Sequence, residues 1–224
     1  MSAKHEKTRN KIVNAIASDM RMLAGASSKF REESRRLSAD GMMSQAYKEQ
    51  KISEARSEYY AAHEKYKQYI IESLNEILAF ELEAEQVFDF DAPDFGNTMA
   101  AINTAQGKLP HEVIAGIKAA FAGRYQSIRA IAAALERHGV NVEQHGYTEF
   151  LQSAGLVLPD IIALAENLDQ SEYGVLSGMS TIYKKLIRFG ESRGAAFTDE
   201  EKTIKLFDDD SRDHMARVSM GLPV

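Results

Sequence analysis

The first proline of the chain is Pro93, so 92 residues precede any residue that would break a helix. Proline lacks a backbone donor and clashes with the preceding turn, and its absence permits an uninterrupted helix without creating one. The spacing of the side chains supplies the reason to form one. Val13, Ile16, Met20, Leu23, Ser27, Phe30, Ser34 and Leu37 alternate steps of three and four, which is the a/d seam of a coiled coil held for nearly four heptads. Ser27 and Ser34 weaken that seam, and Gly25 costs on the order of 1 kcal/mol of helix propensity relative to Ala. A seam of this kind needs a partner helix.

The next stretch of chain is predicted to supply that partner. Ser38, Ala39, Asp40 and Gly41 form the first strong turn signal, with Gly41 placed for a left-handed C-cap. Beyond it Ile52, Ala55, Tyr59, Ala62, Tyr66, Ile70, Leu74, Ile77, Glu81, Ala84 and Phe88 trace a second helical stripe. Two long helices joined by a short link make an antiparallel hairpin. At 1.5 Å per residue the first arm, residues 4–37, is about 50 Å long, and a second arm of about 45 residues overhangs it by roughly a dozen. The residues expected to make the hairpin seam are Val13, Ile16, Met20, Leu23, Phe30, Leu37, Ile52, Tyr59 and Tyr66.

At Asp89 the texture changes to short helices punctuated by glycine and proline. Asn97 or Thr98 can cap a helix reaching about Ala105. Leu109-Pro110 and Leu158-Pro159 each place proline at a first helical turn, and Gly123 and Gly139 are placed as stops. Helical periods also run through Ile128 to Leu135 and Glu172 to Phe189, and Thr198 with Glu201 is a capping box. No alternating strand pattern is present. The fold class expected is all-α, with a hairpin arm over residues 1–88, a compact bundle of short helices over 89–197, and a short helix with a loosely held tail over 198–224. Of that tail, Met215, Val218, Met220 and Leu222 are the residues able to dock on a partner.

Charge is segregated along the chain, beneath a formal net charge of −6. Residues 1–67 carry 14 bases against 9 acids, and residues 68–107 carry eight acids and no base. A basic arm above an acidic collar suits head-to-tail or staggered self-association, with Arg31, Arg35 and Arg36 at the tip and Glu81, Glu83 and Glu85 in the collar as the charged candidates. The competing reading is a solvated face near a domain junction.

The residues exclude more chemistry than they propose. With no cysteine, disulfides, Cys-ligated zinc, iron-sulfur clusters and thiol catalysis are impossible. Asp89, Asp91 and Asp94 are hard oxygen donors, yet the EF-hand positions for glycine and the bidentate glutamate hold Asp94 and Ala100. Asp208, Asp209 and Asp210, with Asp213 and His214, read as a solvated tail. The six histidines include no pair four apart and no Glu-x-x-His, which removes the helical zinc-protease and di-iron motifs. His138 and His145, with Glu143, flank one loop. Neither a nucleophile elbow nor a phosphate-binding glycine loop occurs. No catalytic residue, cofactor or metal set is implied, and the chain is expected not to be an enzyme.

Two functions fit this frame. The first is a non-enzymatic assembly or interaction protein, partnering itself or another protein; its layout resembles, in architecture and without any family motif, bacteriophage or prophage structural and scaffolding proteins. The alternative is a nucleic-acid-associated regulator that dimerises through the hairpin and uses Arg31, Arg35 and Arg36 with Tyr47, Tyr59, Tyr60, Tyr66 and Tyr69. Acids at positions 32, 33, 49, 54, 58 and 64 interrupt that surface. With no apolar stretch near the roughly 20 residues of a membrane span and no signal-peptide core, a cytoplasmic protein with no membrane partner is expected.

Overall fold

A computed structural model of the chain describes residues 3–88, 90, 93–105, 109–202 and 204. Every regular element among them is an α-helix. The two long ones, α1 (Ala3–Ala39) and α2 (Gln45–Glu85), pack closely as an antiparallel hairpin. Its register shows at two points. Phe30 stacks on Tyr59 with ring centroids 5.4 Å apart and planes 3° from parallel, and Arg9 meets Glu81.

The hairpin turn is built differently from the expectation. Gly41 does not adopt a positive φ; among the described glycines Gly123, Gly139, Gly146 and Gly194 do. Instead the Asp40 carboxylate accepts the backbone N–H groups of Met42 (2.7 Å) and Met43 (3.2 Å), and Ser44 caps α2 by accepting from the N–H of Tyr47. An Asx turn satisfies the orphan donors without a left-handed residue. At the other end α2 stops at Glu85, so Phe88 lies beyond the helix and is exposed rather than on its buried stripe.

The short helices come next as α3 (Pro93–Thr104), α4 (His111–Ala120), α5 (Tyr125–Arg137), α6 (Thr148–Leu151), α7 (Ala154–Glu166), α8 (Glu172–Ser192) and α9 (Asp199–Lys202). Two starts differ from the sequence expectation. Helix α3 begins at Pro93, whose missing N–H costs nothing at a first helical position. Helix α7 begins at Ala154 behind an N-cap at Ser153, so Pro159 falls inside it rather than at its entry. Gly123 and Gly139 stand at φ 81° and 80° just after α4 and α5, as the stop signals require. The capping box holds: Glu201 N–H donates to Thr198 Oγ1 (3.2 Å) and Thr198 N–H to Glu201 Oε2 (2.8 Å). The segment from Lys205 to Val224, with its aspartates, His214 and apolar residues, lies outside the described residues, as do Asp89 and Asp91.

The apolar side chains gather into two clusters. The larger joins the hairpin to α7 and α8, with Ile16, Met20 and Leu23 of α1, Ile70, Leu74 and Ile77 of α2, Leu158 and Ile161 of α7, and Met179, Ile182 and Leu186 of α8. The smaller unites α3, α4 and α5 around Ile102, Ile114, Phe121, Ile128, Ile131, Leu135 and Tyr147. Tyr147 donates its hydroxyl to the carbonyl of Ile114 (3.1 Å), and burial pushes its pKa up to about 12.

Candidate functional site

The most chemically loaded place in the described structure is a buried knot of four charges where the hairpin meets the body. Glu81 and Glu85 are four residues apart and share one face of α2. Arg9 Nε donates to Glu81 Oε1 at 2.6 Å, and both side chains are 1% exposed. Arg193, the C-cap of α8, donates from Nη2 to Glu85 Oε1 and to the carbonyl of Gln152 (2.7 Å), and its Nε lies 4.0 Å from Glu81 Oε2. Arg9 Nη1 returns to the carbonyl of Arg193 at 3.3 Å.

Glu85 is held from the other side by α7. Its carboxylate accepts from Ser153 Oγ (2.7 Å) and from the backbone N–H of Ala154 (2.6 Å), at the N-terminus of that helix. A carboxylate at a helix N-terminus and a guanidinium at a helix C-terminus are each placed favourably in the helix dipole field. The Arg193 guanidinium also lies 4.6 Å from the Tyr125 ring centroid and 5.1 Å from that of Phe189. Burial lowers the Arg193 pKa, and the neighbouring Glu85 and Glu81 oppose that shift. An arginine remains charged through such a change. This arrangement has the chemistry of a clamp, because Glu81 is committed to the two guanidiniums and Glu85 to Arg193, Ser153 and the backbone N–H of Ala154.

These positions correct the collar expectation. Glu81 and Glu85 point inward and are neutralised within the chain, so neither faces a partner's basic arm; Glu83 is exposed. Asp94 is likewise engaged, by Arg124 Nη1 at 2.7 Å. At the tip, Arg31 donates to Ser28 Oγ (3.3 Å), Arg36 lies 3.8 Å from Glu33 with its side chain 75% exposed, and Arg35 is exposed.

Of the expected seam residues, Val13, Ile16, Met20, Leu23, Tyr59, Phe30 and Tyr66 belong to or pack on the larger apolar cluster, and Leu37 and Ile52 lie outside it. Val13, Ile16, Met20, Leu23, Leu37 and Tyr59 are buried, and Phe30, Ile52 and Tyr66 are half-buried. His63, absent from the expected stripe, is buried; its Nε2 lies 3.1 Å from the carbonyl of Asp169, next to the bond from Tyr59 Oη to the carbonyl of Gln170 (3.0 Å). The loop between α7 and α8 is therefore fastened to α2. Of the tyrosines considered for stacking, Tyr47, Tyr60 and Tyr69 are exposed.

The histidine loop is also arranged differently. His145 faces His111 across the fold, Nδ1 to Nδ1 at 2.9 Å, while His138 Nε2 lies 3.3 Å from Asn103 Oδ1. Among the described residues no group of three or more His, Asp or Glu side chains is disposed to hold a metal ion.

One cleft, of about 560 Å³, opens between α7 and α8 beside the buried charges. Val157, Ile161 and Phe189 give it an apolar lining, Glu149 and Asp160 an acidic wall, and Lys185 and Arg188 a basic one. Side-chain spacing does not foretell it, because a gap between two neighbouring helices depends on how closely their faces pack. The buried knot did leave a trace: Arg9 extends the seam by one further step of four before Val13, and Glu81 lies on the stripe of α2. Paired charges on two facing apolar stripes are the available signal.

Compared with family models, curated proteins and solved structures, the chain matches none. No described helix is long and apolar enough to cross a membrane.

Proposed function

We propose that this chain is a non-enzymatic helical assembly or interaction protein whose hairpin is its contact element, with a phage- or prophage-type structural or scaffolding role as the particular form. The observation that carries this reading is the distal hairpin. The large apolar cluster takes α1 residues only as far as Ala24 among fully buried positions, and on α2 it begins at Tyr59. Beyond those points a two-helix projection of roughly 20 Å carries exposed Met42, Met43 and Tyr47 at its end. A projection that buries only its seam leaves its outer faces free for a partner. The inward clamp at Glu81 and Glu85 supports the same reading, since it holds the projection to the body as one rigid lever.

The test is solution mass by light scattering over a range of concentrations, at low and high salt, on the full chain. An oligomer whose mass falls on replacing Met42 and Met43 with Asp supports the proposal. A strict monomer at both salts overturns self-assembly. Duplex binding that weakens steeply with salt and is lost on replacing Arg31, Arg35 and Arg36 with Gln favours the nucleic-acid reading instead.

A further inference from the structure

We propose that His111 and His145 form a two-nitrogen site for a divalent transition ion, with Cu2+ and Ni2+ as the ions it fits best. The site lies against the smaller apolar cluster rather than in the hairpin, and it stands independently of the self-assembly reading. The two Nδ1 atoms are 2.9 Å apart, with ring centroids at 4.8 Å and planes 32° from parallel. His111 is exposed and His145 half-buried, so solvent reaches the pair.

Both rings are carried on fixed backbone. His111 is the first residue of α4, where the N–H of Ile114 donates to the carbonyl of Pro110 (3.1 Å). The loop that carries His145 is held at three points. Asn141 Oδ1 accepts the N–H groups of Glu143 (3.1 Å) and Gln144 (3.2 Å), Lys118 Nζ donates to the His145 carbonyl (2.9 Å), and Gly146 turns the chain at φ 69°. Two residues after His145, the Tyr147 hydroxyl ties the loop to the Ile114 carbonyl of α4. Ligands placed before the ion arrives lose less conformational freedom in binding it.

The chemistry of the pair favours an ion over a shared proton. A hydrogen bond between two Nδ1 atoms requires one ring to carry its proton on Nδ1 and the other to carry it on Nε2. With an ion between them, both rings keep the proton on Nε2, the tautomer that a free histidine side chain prefers. Neither Nε2 has a partner among the described residues, so each can donate that proton to water. The spacing then selects the ion. At metal–nitrogen distances of about 2.0–2.1 Å, a nitrogen separation of 2.9 Å corresponds to an angle of about 90° at the metal. Right-angle nitrogen pairs belong to the tetragonal and octahedral shells of Cu2+ and Ni2+, whereas tetrahedral Zn2+ holds its nitrogens about 3.3 Å apart. Among the described residues no third His, Asp or Glu joins the pair, so water completes the shell. The positive end of α4 and Lys118 oppose a cation here, and Glu112 in the first turn of α4 and Glu143 beside the loop turn offset them.

The full chain is titrated with CuCl2, NiCl2 or ZnCl2 at about pH 7.5 and followed by calorimetry and, for Cu2+, by electron paramagnetic resonance. With no cysteine in the chain, no thiolate competes. The expected result is one tight site per chain, a Cu2+ spectrum split by two nitrogens, and Ni2+ held more tightly than Zn2+. His111→Ala and His145→Ala should each weaken that site about tenfold or more, and His111→Asn and His145→Asn should do the same with a polar side chain kept in place. His5→Ala, His138→Ala and His214→Ala should leave the affinity within about twofold. Helical circular dichroism checks that every variant is folded. Absence of a saturable site, or a tight site that survives loss of His111 or His145, overturns the proposal. Zn2+ bound more tightly than Ni2+ overturns the right-angle geometry on which the choice of ion rests.

Discussion

The two halves of the hairpin share the same pair of helices and the same heptad seam, yet they are different kinds of structure. Between Arg9 and Ala24, α1 buries Arg9, Ile12, Val13, Ile16, Ala17, Met20, Leu23 and Ala24, two adjacent stripes that face α2 on one side and the body on the other. Further out, Ser27 and Leu37 are the buried positions of α1, a single narrow seam. A wide stripe serves a helix with several neighbours and a narrow one serves a helix with a single neighbour. The proximal half thus belongs to a four-helix core with α7 and α8, and the distal half stands as a two-helix coil.

The largest effect that would test this contrast lies in the buried charges. Arg193→Met should cost about 3–5 kcal/mol in urea unfolding, because it leaves Glu85 and Glu81 buried with fewer partners. A loss below about 1 kcal/mol would show that the hairpin base is not clamped.

Next comes a direct comparison of leucines from the same seam. Leu23→Ala, in the shared core, should lose about 4 kcal/mol, whereas Leu37→Ala, near the tip where the surroundings can collapse, should lose about 2 kcal/mol. Equal losses would erase the distinction between core and projection.

His63 gives a smaller, pH-dependent effect at the boundary between the halves. Its pKa is lowered, first by burial, so the fold favours the neutral imidazole with Nε2–H donating to the Asp169 carbonyl. The unfolded chain then binds the proton more readily than the folded one. Stability is full above the ordinary histidine value near 6.5 and falls as pH drops through it toward the lowered folded value. A His63→Gln variant, followed by urea midpoint from about pH 8 to about pH 5, should lose that slope; an unchanged slope would assign it to other groups.

The smallest effect has the opposite sign. Gly25 is exposed within α1, and a Cβ built there meets nothing within 4 Å. Gly25→Ala should therefore raise stability by about 0.5–1 kcal/mol. A loss at this position would mean that the junction between the halves depends on a bend.

Much of the hairpin was legible because it is local. Steps of three and four name the face of α1, and the absence of proline lets α2 run to its end at Glu85. Even the change of character midway is written in the positions flanking the seam, which hold Ile12, Ala17 and Ala24 proximally but Arg31, Glu33 and Ser38 distally. The start of α7 is harder to read, because Pro159 resembles a first-turn proline while the cap that opens the helix is Ser153. Gly41 resembles a left-handed cap for a similar reason, yet Asp40 already satisfies the turn.

The acidic collar shows where local information ends. Of the five glutamates between positions 72 and 85, the helical stripe marks Glu81 as inward, but nothing near them separates the buried Glu85 from the exposed Glu83. Their partners, Arg9 and Arg193, are 72 and 108 residues away. The sequence by itself determined the all-helical class, the hairpin and the face each long helix buries, because periodicity and helix stop signals act over a few residues. Only the tertiary structure decided which short helices join the hairpin, which charges are clamped inside, and that a cleft lies between α7 and α8. The first two outcomes depend on apolar surfaces and charges meeting across long stretches of chain, and the cleft on how closely two neighbouring helices pack; no local spacing encodes either.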